Sequence, residues 1–371
     1  MASRTSFVLI AFVTIFLVWS PLRAEPTVVL DGVEMHWEAG PHMLSIRQGP
    51  SVTAGSDGFI YALGGVVGYG LPEATNSCER YDESTGAWSS IAPMFEKRLL
   101  ARAVTDPYGK IWVAAGYCLT GTTGSVERYD PSSNTWTQMS GHLNTPRANF
   151  GMATIGGYIY VFGGHSGLPW SDPGAALSSV ERCDLATGQW EYVAPMNEAR
   201  YGVGFGVDSQ GFIYAIGGGT IPLLNDVCSK TVERYDPSTN TWGYVADMPQ
   251  RAGSPASFTM DGKIFTVGGG REATYFTTDC YVYSPATNTW AIGPDMYEPL
   301  NSAGAAVGPS GTAYVLGGQG PEVYAKDRVA MLVSQPIPEP FSLAFMGSAF
   351  VGVVAIRLRK WRKGKKAQHM D

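Results

Sequence analysis

The chain repeats itself six times. A glycine pair closes a β-rich run at Tyr61-Ala-Leu-Gly-Gly65, Tyr160-Val-Phe-Gly-Gly164, Tyr214-Ala-Ile-Gly-Gly218, Phe265-Thr-Val-Gly-Gly269 and Tyr314-Val-Leu-Gly-Gly318, and Trp112-Val-Ala-Ala-Gly116 is a worn sixth copy. The first positions of these pairs fall at intervals of 51, 48, 54, 51 and 49 residues. Tryptophan keeps the same time, at 37, 88, 136, 190, 242 and 290. A unit this short cannot bury its own apolar face and must stack on its neighbours. With 46 glycines and only 16% charged residues, the units read as sheets rather than helix pairs.

A third marker lies between the other two: Cys78-Glu-Arg-Tyr-Asp82, Val126-Glu-Arg-Tyr-Asp130, Val180-Glu-Arg-Cys-Asp184 and Val232-Glu-Arg-Tyr-Asp236, with Cys280-Tyr-Val-Tyr-Ser284 diverged. Turn formers such as Pro131-Ser-Ser-Asn-Thr135 lead on to the tryptophan. Over about residues 30–333 this pattern resembles the kelch repeat, whose unit is one four-stranded propeller blade. The fold expected is all-β, a six-bladed propeller over residues 25–335. Inner strands such as Gly202–Val207 and Ser302–Val307 are built of small residues because strands crowd near the axis. Trp37 has no glycine pair before it and Gly317-Gly318 has no tryptophan after it, so Val33–Trp37 is expected to pair beside Val329–Val333 and close the ring. A closed ring offers no open inner edge, and a monomer is expected.

Alternating strand direction puts the strand-two-to-three loops and the connections to the next blade on one face. Long loops on a rigid scaffold commonly carry recognition. Trp170, Tyr275 and Phe276, with Tyr69, Leu223, Leu224 and Tyr324, are candidates to stack on sugars or anchor a protein. Arg47, Arg98, Arg147, Arg200 and Arg251 recur 16 or 17 residues before their glycine pairs, with Asn301 in the sixth copy. Such a ring can bind carboxylates or tie the scaffold together. The Glu-Arg pairs read as scaffold, since they repeat.

Catalytic signals are poor. His36, His42, His142 and His165 fall in separate repeats without metal-ligand spacing, and no cofactor is expected. The motifs of the galactose oxidase type of kelch enzyme are missing. Sialic acid mutarotases are a closer architectural parallel, and that chemistry needs a carboxylate near an arginine, for which Asp226, Glu272 or Glu322 stand available. Five cysteines cannot all pair, and Cys78–Cys118 and Cys183–Cys228 are the conceivable bridges.

The two ends read as addresses. Residues 1–24 have a basic Arg4, an apolar run Phe7–Trp19 broken only by Thr14, and a cleavage point after Ala24, the pattern of a secretory signal. Residues 336–371 set Pro338-Glu339-Pro340, an apolar stretch at 341–356 and a basic cluster from Arg357 to Lys366 in that order. Sixteen residues of helix span about 24 Å, short of a bilayer core of about 30 Å unless Arg357 and Arg359 snorkel. The order resembles the PEP-CTERM sorting tail of exported Gram-negative proteins. That resemblance implies Pro338, Glu339 and Pro340 as a sorting signal, an exosortase-type enzyme as a partner, and a helix serving as transient or permanent membrane anchor. An ordinary single-pass anchor is the alternative. Residues 25–340 hold 17 basic against 31 acidic side chains, a net of −14 that repels phosphate backbones and excludes nucleic acid. The function expected is therefore an exported, surface-associated module that binds a protein or an extracellular polysaccharide.

Overall fold

The computed structural model describes residues 27–67, 73–118, 120–167, 175–220, 228–272, 275–321 and 325–336. The signal segment, Trp170, Pro338, Glu339, Pro340 and the apolar stretch after them lie outside these residues.

Each repeat folds into one antiparallel four-stranded sheet whose strands neighbour one another in chain order. Blade one is Ser51–Ala54, Phe59–Leu63, Cys78–Asp82 and Ala87–Ile91, and blades two to five repeat it. The second strand is buried end to end, as in Ile111–Ala114 and Ile213–Ile216, because blades cover both of its faces. Blade six joins the two ends of the chain: Gly304–Val307, Ala313–Leu316 and Val329–Pro336 are completed by Val33–Ala39, with Trp37 opposite Leu332. The expected seam is therefore present. Sequence reading missed a fifth strand outside it, Val28–Leu30, which returns through Asp31 and Gly32 at φ of 52° and 80°, the left-handed pair a two-residue hairpin demands.

Aromatic residues bolt blade to blade. The indole N–H of Trp88, Trp136, Trp242 and Trp290 donates to Pro41, Ala92, Ala194 and Ala246 carbonyls in the connection entering the same blade, and Trp37 donates to Pro294. Tyr61, Tyr160, Tyr214 and Tyr314 on second strands lie 5.4–5.9 Å from Tyr129, Tyr235, Tyr283 and Tyr81 on the third strands of neighbouring blades. A further repeated marker escaped the sequence reading. Met43, Met94, Met196, Met248 and Met296, with Leu143 in the remaining copy, are all buried. The methyl group of Met94 packs against Gly64 and that of Met196 against Gly163, so a larger residue in the glycine pair meets sulfur-bearing side chains as well as backbone.

The expected inner strands begin two residues too early. Gly202 and Ser302 are not strand residues, and the strands there are Gly204–Val207 and Gly304–Val307. Neither of the conceivable bridges forms: Cys78, Cys118, Cys183 and Cys228 are all free thiols. Cys78 and Cys183 are core residues of blades one and three, where burial pushes each thiol up to about 12.

Candidate functional site

Successive strand residues face opposite sides, so the glutamate of each Glu-Arg pair turns inward and its arginine outward. Outward-facing Arg80, Arg182 and Arg234 lie over the rings of Phe59, Tyr158 and Phe212 at 4.1–4.5 Å. Inward-facing Glu79, Glu127, Glu181 and Glu233 meet Arg47, Arg98, Arg147 and Arg200 at 2.7–3.0 Å. Each of these arginines also donates to a carbonyl of its blade's second strand end: Gly64, Ala115, Gly163 and Gly217. The glutamates in turn accept backbone N–H bonds from Leu44, Phe95, Asn144 and Asn197, which fixes the connection entering the blade. All eight side chains are at most 1% exposed. Of the two readings left open for the arginine ring, this geometry is that of the scaffold: four of its members brace the interior of blades.

The other two members were placed one residue out of register. The second glycine of each pair donates to the carbonyl of the next blade's bracing position, from Gly65 to Arg98, Gly116 to Arg147, Gly164 to Arg200 and Gly318 to Arg47. In blades five and six the same bond reaches Ala252 and Leu300, so neither Arg251 nor Asn301 holds the bracing position. Arg251 is exposed, and Asn301 sits at the axial rim. The glutamate positions change in step, to Tyr281 and Ala330.

The long-loop face begins at a ring of reciprocal backbone bridges, Gln48 with Val66, Leu99 with Tyr117, Ala148 with His165, Tyr201 with Gly219, Gly253 with Gly270 and Asn301 with Gln319. Their side chains divide the mouth into three arcs. Where blades six and one meet, Gln48 Nε2 donates to Gln319 Oε1 at 2.8 Å. Across blades two to four, the His165 ring lies 5.3 Å from Tyr117 and 5.1 Å from Tyr201, with the Tyr117 hydroxyl 2.8 Å from His165 Nδ1. Between blades four and five the rim positions are Gly219, Gly253 and Gly270, all buried, with the Cys228 side chain packed against Gly253. Sequence reading missed this amide, aromatic and glycine division because its members share a position and not a residue type. Three of the loops above carry small hairpins, Val66–Val67 with Glu73–Ala74, Tyr117–Cys118 with Gly121–Thr122, and Gly270–Glu272 with Tyr275–Phe276. Two of the proposed anchors, Tyr275 and Phe276, are in the last of these, with Phe276 half-buried. Asp226 and Glu322 lie outside the described residues, as do Tyr69, Leu223, Leu224 and Tyr324.

Just below the rim, six residues form a collar around the axis. Gly49 N donates to Ser302 O, Ser302 N to Ser254 O, Ser254 N to Gly202 O, Gly202 N to Asn149 O, Asn149 N to Leu100 O, and Leu100 N back to Gly49 O, at 2.6–3.1 Å. Every collar residue is left-handed, at φ between 49° and 59°. That conformation turns each peptide sideways, out of its blade and toward the next. Beyond the collar the channel widens to about 380 Å³ between inner strands, lined by residues such as Thr53, Thr105, Thr154, Phe205 and Thr259, and it opens on the short-turn face.

A family model described as the Kelch motif matches residues 50–95, 104–141, 146–197, 210–249 and 251–297, more than half of the chain. The chain belongs to the kelch family. Among kelch relatives, human Kelch-like protein 25 is 33% identical over 132 residues, 34% of this chain and 21% of the relative. Kelch-like protein 26 of Danio rerio is 31% identical over 216 residues, 57% of this chain and 34% of the relative. The chain thus matches a fifth to a third of the length of these kelch-like proteins. The solved structure of YjhT superposes with a TM-score of 0.66, covering 80% of this chain and 99% of that one, at 15% identity, a likeness of fold alone.

Proposed function

We propose that this kelch propeller is a non-catalytic binding module, exported and held at the cell surface, whose long-loop face takes an extracellular polysaccharide. The observation that carries the reading is the divided mouth. Amides of Gln48, Gln319 and Asn301 offer donors and acceptors for hydroxyls, and the half-buried ring of Tyr201, backed by the buried His165 and Tyr117, offers an aromatic face. The tail fits the same reading: a PEP-CTERM signal at Pro338, Glu339 and Pro340 recognised by an exosortase-type enzyme would deliver the propeller outside the inner membrane.

Glycan arrays and an envelope extract presented to the purified chain test the proposal. Tyr201→Ala is expected to weaken glycan binding about tenfold, the loss of roughly 1.4 kcal/mol of ring contact. Retention of only protein from the extract, with no glycan bound, would turn the reading to a protein partner. NMR of sialic acid anomer exchange is the catalytic arm, and acceleration by the chain would replace the binding module with a mutarotase. For the tail, Glu339→Ala should trap full-length protein in the inner membrane. An intact C-terminus through Lys366 in surface material would leave a plain anchor instead.

A further inference from the structure

We propose that the axial well on the short-turn face is a second binding site, for a small organic carboxylate held by Arg102. This site lies on the other side of the collar from the long-loop mouth and does not depend on it. Arg102 is the first residue of the inner strand Arg102–Thr105 of blade two. It lines the narrow end of the channel with Pro50, Phe205 and Ser257, from blades one, four and five. That narrow end shares Val52, Ala103, Phe205, Ser257 and Ala305 with the wide well, so the guanidinium stands at the floor of a continuous space. It is the one charged side chain among the residues lining either part.

Each of the four bracing arginines, at most 1% exposed, has a glutamate, and the half-buried Arg102 differs from them. Arg102 has none. Its bonds are to carbonyls, Nε to Phe150 O at 3.0 Å and Nη1 to Ala101 O at 3.5 Å, and no carboxylate meets it among the described residues. Arg102 is half-buried, and desolvation pushes it down to about 10 with no counter-charge beside it. In the adjoining wide part the buried hydroxyl of Thr154 has no hydrogen-bond partner among the described residues, and an unsatisfied buried group calls for one. A planar carboxylate matches the guanidinium fork. The rest of the wall mixes the hydroxyls of Thr53, Thr105, Thr154, Ser257 and Thr259 with alanine and valine side chains and the rings of Phe205 and Phe258, and the wide part measures about 380 Å³ against about 30 Å³ at the arginine's end, so the ligand is a carboxylate with a compact body.

Benzoate and its neutral isostere benzamide, titrated against the full chain with tryptophan fluorescence and melting temperature as readouts, test this. Benzoate should bind and raise the melting temperature, benzamide should not, and Arg102→Gln should weaken benzoate at least tenfold while leaving glycan retention on the opposite face unchanged. Equal binding of the two probes, or unchanged benzoate affinity in Arg102→Gln, would overturn the site. Should Arg102→Gln fail to fold, crystals grown with 4-bromobenzoate decide: a bromine signal in the axial well upholds the proposal and signals confined to other surfaces reject it.

Discussion

Arg147 Nη2 donates to Glu181 Oε1 at 2.7 Å with both side chains fully buried, and blade six fills the same two positions with Leu300 and Ala330. The chain therefore contains two solutions to one packing problem. Removing one partner of a buried pair strands a charge, whereas replacing both by apolar groups removes the desolvation cost. Glu181→Ala alone should destabilise the propeller by about 3–5 kcal/mol. The double variant Arg147→Leu/Glu181→Ala should recover most of that loss. Urea unfolding of the two single variants and the double closes the cycle, and additive losses would mean that the pair is not acting as a unit.

Gly202 sits in the collar at φ +58°, and a Cβ there would lie 2.3 Å from Ser254 Oγ and 3.0 Å from Ser254 N. Gly202→Ala is expected to cost about 2 kcal/mol through the left-handed backbone and the crowding together. An exposed left-handed glycine, Gly262, has open space around its Cβ and serves as the control, with a smaller loss expected in Gly262→Ala.

The comparison between sequence and structure turns on what repetition makes visible. Glycine pairs, tryptophans and Glu-Arg pairs repeat as residue types, so blade number, strand order and the seam at Trp37 were legible. The collar was not, because Gly49, Leu100, Asn149, Gly202, Ser254 and Ser302 share only a backbone angle. Arg251 and Asn301 were misplaced for a related reason. The connection entering a blade varies by one residue, and only the bond from Gly218 to Ala252 fixes its register. The mouth escaped for the opposite reason to the scaffold: its residues differ from copy to copy.

Thiol labelling checks the cysteine assignment. Cys78, Cys183, Cys228 and Cys280 are buried and Cys118 is half-exposed. Native protein should label at one site, Cys118, and denatured, unreduced protein at five. Fewer than five in the denatured protein would reveal a bridge.

Asp130 pairs with Lys110 at 2.7 Å and accepts bonds from Ser132, which together hold its carboxyl at about 2, below the usual 3.8. A depressed carboxyl stabilises the fold above the unfolded value and loses that contribution as pH falls through the folded one. Asp130→Asn should therefore flatten part of the stability decline between pH 3.8 and about 2, and leave its slope unchanged above pH 5. Chemical denaturation at stepped pH measures it.

Cutting away Val28–Leu30 and Val33–Ala39 should lower the melting temperature of every blade together, since Trp37 also bonds to Pro294 at the end of blade five. Hydrogen exchange by segment distinguishes this from a loss confined to blade six.

The shared sixth blade also orders events in time. A ribosome delivers Val33–Ala39 some 300 residues before its partner Val329–Pro336, so this early strand of the propeller is among the last to find its blade. Until synthesis is nearly over, that segment carries an open hydrogen-bonding edge and a bare tryptophan, the features that recruit chaperones and invite a neighbouring nascent chain to pair in its place. At about 5–20 residues per second the interval lasts tens of seconds. The same strand that finishes the ring is, for that time, its most vulnerable part.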